Sequence, residues 1–160
     1  MVKKVSTVFL QVVVVLIGMA VLAFLIIMPT KEGRAANLDL FHIYADPLIL
    51  YAYAASIAFF VALYKAFRLL GYIGRNQVFS LNSVMALKNI KYCAMILGAL
   101  IVLAGVYIRI FHSQEDDPAG FIAMCIITTF ACAVVATAAA IFEKILQNAV
   151  DMKSENDLTI

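Results

Sequence analysis

Charge is scarce in this sequence. Asp, Glu, Lys and Arg together make up 14% of its 160 residues, against roughly 25% in soluble domains. A soluble fold of this size could not hide the apolar surface that remains. Cysteine is scarce too. Cys93, Cys125 and Cys132 are odd in number, sit in apolar runs and match no zinc spacing. They read as small buried hydrophobes rather than as a disulfide framework or a redox site. Catalytic signatures are missing altogether: no HExxH, no GxSxG and no P-loop. No ionisable residue falls near the middle of a long apolar run, which argues against an ion-driven transporter and against an intramembrane hydrolase. The formal net charge of +2, with no compact basic patch, gives no footing for direct nucleic-acid binding. No cofactor or metal is expected, and the chain reads as a non-enzyme.

Hydrophobicity is what the chain has in quantity, at 65% of residues and a mean hydropathy of +1.00. It is gathered into four runs long enough to cross a bilayer as helices, at about 5–28, 48–70, 92–111 and 119–141. The first follows Lys3 and Lys4 like a signal peptide. It is longer than the ~7–15 residues of a signal core, however, and lacks a good cleavage site, so it reads as an uncleaved anchor ended by Pro29. Asp46–Pro47 and Asp117–Pro118 open the second and fourth helices with the same pairing of a capping carboxylate and a first-turn proline. Gly71 and Gly74 are expected to break the second helix.

The third helix starts before its span, capped by Ser80, with Leu81, Val84, Leu87 and Ile90 forming an apolar stripe. The fourth is expected to continue past its span to about Lys153. Phe142, Ile145, Leu146, Ala149 and Val150 lie on one face there, ahead of a short tail at Ser154–Ile160. The fold expected is therefore an all-α integral membrane four-helix bundle, a single domain over 1–160. Its third and fourth helices extend into the cytoplasm, and 142–160 form a cytoplasmic amphipathic helix and tail.

The orientation follows from Lys and Arg in the short loops. Nine fall on the side of both termini and three on the other, which makes the first side cytoplasmic. With the acidic residues counted, the inner face carries net +5 and the outer face net −3.

Few residues invite chemistry. Gln11 is the most polar side chain of the first run, and Ser56, Thr128 and Thr129 read as back-bonded or interhelical hydroxyls. Tyr44, Tyr51, Tyr53, Tyr64 and Tyr72 read as an interfacial belt, with ligand stacking the lesser alternative. Ala94, Gly98 and Gly105, and the alanines of the fourth run, allow close helix packing within the bundle or a homodimer contact. His42 and His112, with Asp116 and Asp117, gather on the outer face and are weak candidates for metal binding or pH sensing; a solvated acidic loop is the plainer reading. The inner face draws most attention. Its basic connection and its amphipathic C-terminal helix suit either anionic lipid or a docked cytoplasmic protein. The docking candidates are Lys88, Lys91, Phe142, Ile145, Leu146, Glu155, Asn156 and Asp157. The last three could cap or pair with Lys88 and Lys91.

Three stretches carry a family resemblance: YKAFRLLGYI at Tyr64–Ile73, RNQVFSLNSVMALKNIKYCA at Arg75–Ala94, and AVDMKSENDLTI at Ala149–Ile160. They resemble a bacterial membrane family, domain of unknown function 2975, from the second helix to the last residue. The resemblance implies a four-helix protein of the bacterial inner membrane with no catalytic residues to carry over. It also implies a frequent genetic neighbour, a small helix-turn-helix regulator of the Cro/repressor type. The reading that follows is a non-enzymatic sensor or regulatory partner whose inner face docks a cytoplasmic protein. The alternative is a small transporter, or a protein that protects against membrane-active compounds.

Overall fold

Four helices and the turn at 75–80 account for the residues described in the computed structural model, which are 2–31, 47–111 and 119–157. They are α1 (Val2–Lys31), α2 (Pro47–Gly74), α3 (Leu81–Phe111) and α4 (Ala119–Asp157). All four are long and apolar enough to cross a membrane. Their surfaces confirm the solvent they need: Phe9, Phe130 and Ile126 are each about two-thirds exposed or more. Such side chains along every helix would be untenable in water and are ordinary in lipid. The bundle is packed in chain order, α1 against α2, α2 against α3 and α3 against α4.

The expected helix ends shift for physical reasons. Pro29 does not end α1; it lies inside the last turn. A proline there cannot serve the carbonyl four residues back, which belongs to Leu25. That carbonyl accepts instead from the Tyr53 hydroxyl of α2, at 3.0 Å. A second tyrosine does similar work, the Tyr51 hydroxyl donating to the Leu100 carbonyl of α3 at 2.7 Å. Tyr51 and Tyr53 are thus ties between helices as well as aromatic bulk.

Gly71 does not break α2, whereas Gly74 is its last residue, as expected. Both are helical, and they let α1 come close: a Cβ on Gly74 would lie 3.3 Å from Cγ2 of Thr7, and one on Gly71 would lie 3.5 Å from Nε2 of Gln11. Gln11 donates to the Phe67 carbonyl at 3.3 Å, fixing the same contact. The stop is Asn76, which takes a left-handed conformation with φ 57°. Gln77 N–H donates to the Tyr72 carbonyl at 2.9 Å and Asn76 N–H to the Ile73 carbonyl at 3.1 Å. This is a complete Schellman cap, with asparagine in the place glycine usually takes.

The start of α3 is built from serines, as expected of Ser80. Its hydroxyl donates to the Gln77 carbonyl at 2.9 Å and accepts from the Ser83 N–H at 3.4 Å. Ser83, fully buried, also donates to the Gln77 carbonyl, at 3.1 Å. The turn between α2 and α3 is therefore internally bonded from both ends.

Along the spans, α3 and α4 meet on small residues. A Cβ on Gly98 would lie 3.3 Å from Cβ of Cys132, and one on Gly105 would lie 3.5 Å from Cβ of Cys125. The contacts recur every seven residues on both antiparallel helices, the repeat of a coiled-coil seam. Ala94, Gly98, Ala136 and Ala139 are buried. These residues serve packing within the chain, and the cysteines act as small apolar groups facing glycine. The hydroxyls of Thr128 and Thr137 back-bond to the carbonyls of Met124 and Ala133, and that of Ser56 bonds to the Tyr53 carbonyl. Thr129 differs: its hydroxyl is buried with no partner among the described residues.

The tightest apolar core lies at one end of the bundle rather than at its middle. Val84, Leu87 and Ile90 of α3 pack on Ala139 and Leu146 of α4, with Ala66, Leu69, Val78 and Val150 around them. The expected stripe on α3 is thus buried, apart from Leu81, which is 60% exposed.

Candidate functional site

The end that holds this core is where the helices outgrow a bilayer. With 39 residues at about 1.5 Å each, α4 is about 58 Å long. A bilayer is about 30 Å thick in its hydrocarbon and about 40–45 Å with headgroups. The helix runs to Asp157, four residues past the expected end near Lys153, so much of the supposed tail is helical. Glu155 and Asn156 are exposed on its last turns.

Two contacts define this end. Lys91 of α3 and Glu143 of α4 form an ion pair of 2.6 Å, both side chains about four-fifths covered. The Lys91 ammonium also lies 5.1 Å from the centre of the Tyr92 ring. The expected tail partners of Lys91 are therefore replaced by a residue on the body of α4. In sequence the pairing was open to inspection: Lys91 and Glu143 each flank a span on the same side, on helices that must run antiparallel. Lys88 is exposed.

At the same end of the bundle, the α2–α3 turn and the end of α4 enclose an open groove of about 710 Å³, lined by Asn76, Gln77, Phe79, Ser80, Asn82, Ala149, Met152 and Lys153. The Schellman cap and the serine network hold one wall and the projecting helix forms the other. Phe79 and Met152 are 59% and 65% exposed. On α4, Phe142, Ile145, Ala149 and Met152 follow at helical spacing and make one stripe running up to the groove. Phe142 and Ile145 are more than half exposed, whereas Leu146 is buried in the core. Leu146, expected on the docking face, is a packing residue: it lies one position away from Ile145, a turn of about 100° that carries it towards α3.

Sequence reasoning did not single out Asn76, Gln77, Phe79, Asn82, Met152 or Lys153 as a lining. The signal available was the exposed Phe79 in an otherwise polar turn. His42, His112, Asp116 and Asp117 lie outside the described residues, as does the side chain of Asp157. Among the described residues no three His, Cys, Asp or Glu side chains come together as a metal site would require.

A chain with four spanning helices, a small-residue seam and an elaborated basic end is an integral membrane protein of the multi-pass α-helical class. The chain belongs to the family described as Protein of unknown function (DUF2975), whose model matches residues 30–160. It is 41% identical over 160 residues to the "Uncharacterized membrane protein YoaS" of Bacillus subtilis (strain 168), covering 99% of each chain. No solved structure matches.

Proposed function

We propose that the protein is a non-enzymatic membrane sensor or regulatory partner, and that its projecting end docks a cytoplasmic protein. The supporting observation is the groove between the α2–α3 turn and the end of α4, with exposed Phe79 and Met152 at its rim. Met152 stands 11 residues past the expected span end at Ile141, about 16 Å along the helix. Lipid hydrocarbon cannot cover it there unless the helix bends. An apolar side chain entering between Phe79 and Met152, flanked by the amides of Asn76, Gln77 and Asn82, fits this lining. Lys153 favours an acidic neighbour on the partner. In this reading the excess of Lys and Arg places the groove and both termini in the cytoplasm, with the body of the protein in a bacterial inner membrane.

The partner of first choice is the small helix-turn-helix regulator expected from the family resemblance. Co-expression of that regulator with the full-length protein tests the reading. Phe79→Asp and Met152→Asp should each abolish co-purification while leaving membrane insertion intact. Unchanged recovery of the regulator in both variants, or after removal of residues 142–160, would sink the proposal. A reporter fused after Ile160 checks the orientation and should be active only in its cytoplasmic form.

A further inference from the structure

The face of α2 that turns away from both α1 and α3 carries a second arrangement. α1 approaches α2 at Phe67, Gly71 and Gly74, and the apolar core takes Ala66 and Leu69. Tyr64, Arg68 and Tyr72 recur every four residues on the side left over, one above another on the helix. The Arg68 guanidinium lies 6.0 Å from the centre of the Tyr64 ring and 5.7 Å from that of Tyr72. Two rings thus hold a cation in place from either side, and Tyr64 and Arg68 are both exposed.

What this guanidinium lacks is an anion. Lys65, Arg68 and Arg75 make no ion pair with a carboxylate among the described residues, where the pair of Lys91 with Glu143 is formed elsewhere. The sequence offers little nearby: from Asp46 to Glu115 there is no acidic residue, while Lys65, Arg68, Arg75, Lys88, Lys91 and Arg109 fall between them. Arg68 also sits six residues before the end of α2 at Gly74, about 9 Å along the axis. The apolar run of α2 gives way to Lys65 and Arg68 just after Tyr64, the pattern of a helix entering the headgroup layer.

We propose that Tyr64, Arg68 and Tyr72 form a binding site for the headgroup of an anionic phospholipid, with Lys65 and Arg75 adding to the local field. A planar guanidinium fixed between two rings presents its remaining N–H groups outward, in the fork that suits a phosphodiester. The phenol hydroxyls of Tyr64 and Tyr72 can add hydrogen bonds to the headgroup. The shared chemistry is that of a phosphate oxyanion, and the lipid is the source favoured because the site faces the bilayer. The proposal is independent of the docking groove, which opens between other elements.

The absence of tryptophan makes a direct test available. A Tyr64→Trp reporter keeps an aromatic ring beside Arg68 and gives the protein a single indole. The full-length reporter is placed in phosphatidylcholine vesicles with a brominated fraction of either phosphatidylglycerol or phosphatidylcholine, and quenching is compared. A preference of about fivefold for the brominated anionic lipid is expected, the size of one basic residue's attraction to an anionic surface. Arg68→Gln in the reporter background should reduce that preference to near unity. Arg68→Lys, which keeps charge without the fork, should leave it in between. A Phe111→Trp reporter at the far end should report no preference. Equal quenching by the two lipids, or a preference unmoved by Arg68→Gln, overturns the proposal. So does loss of the preference in excess inorganic phosphate, which would identify a free anion as the ligand. Circular dichroism of each variant verifies that the helices are intact, and Tyr72→Leu serves as the weakening variant if Arg68→Gln does not fold.

Discussion

The Tyr53 hydroxyl donates to the Leu25 carbonyl at 3.0 Å, and Leu25 lies four residues before Pro29, the residue that would otherwise serve it. A break in one helix is thereby mended by a side chain of the next. Tyr53→Phe removes the donor and should destabilise the protein by about 1–2 kcal/mol. The same change made in a Pro29→Ala background should cost markedly less, because alanine restores an N–H to the carbonyl. Unfolding by sodium dodecyl sulfate titration, run as a double-mutant cycle, measures the coupling. Additive effects would separate the tyrosine from the proline.

A second expectation concerns Lys91 and Glu143. Charge reversal at either position puts like charges into a contact of 2.6 Å and should lower the melting temperature in detergent. The exchange Lys91→Glu with Glu143→Lys should recover most of the loss. If the exchange is no better than the worse single variant, the pair is not what fixes α3 on α4.

The seam of α3 and α4 makes its own prediction. Gly98→Leu has no room against Cys132 and should cost about 1–3 kcal/mol, the range for overpacking. Combining it with Cys132→Ala gives little relief, since a single sulfur is smaller than the side chain introduced. Gly98→Ala should be far milder, with a small shift of α4 absorbing the 3.3 Å approach. Thermal unfolding of the three variants gives the order.

At the turn, Asn76→Gly should be neutral or slightly stabilising, because glycine takes the φ of 57° without strain. Asn76→Val should cost about 1–2 kcal/mol. Ser83→Val should cost about 1–3 kcal/mol by removing one of the two hydroxyls that serve the Gln77 carbonyl and by crowding a site with no free space. Both losses should also appear as faster proteolysis within residues 75–80, measured by cleavage of the protein in detergent.

The four spans could be read from the sequence because hydropathy over 20 or so residues integrates a large free energy and tolerates errors at any one position. The start of α2 at Pro47 and the cap at Ser80 were legible for a different reason: both depend on residues adjacent in the chain. At Pro29 and Gly71 the helices run on, because a distant residue decides the outcome. Tyr53 allows α1 to pass through Pro29, and the approach of Thr7 and Gln11 accounts for Gly74 and Gly71. At the projecting end, the apolar face of α4 was visible, but its division into a core residue, Leu146, and exposed neighbours, Phe142 and Ile145, requires knowing where α3 lies. The groove lining was not legible at all, since Asn76 and Met152 are brought together only by the turn and the overlong helix.

The order in which the helices pack bears on how the protein is made. Each helix has its main contacts with the one synthesised just before or just after it. No span has to wait for a distant stretch of chain before it can bury its small-residue face. Insertion can therefore proceed as a growing row, each new helix closing on the exposed flank of the last. The ties at Tyr51 and Tyr53 point the same way. A hydroxyl on α2 first meets a carbonyl already in the bilayer, on α1, and another hydroxyl then waits for α3. The projecting end is completed last, when α4 arrives to cover Val84, Leu87 and Ile90, so the groove exists only in a chain that has finished its assembly.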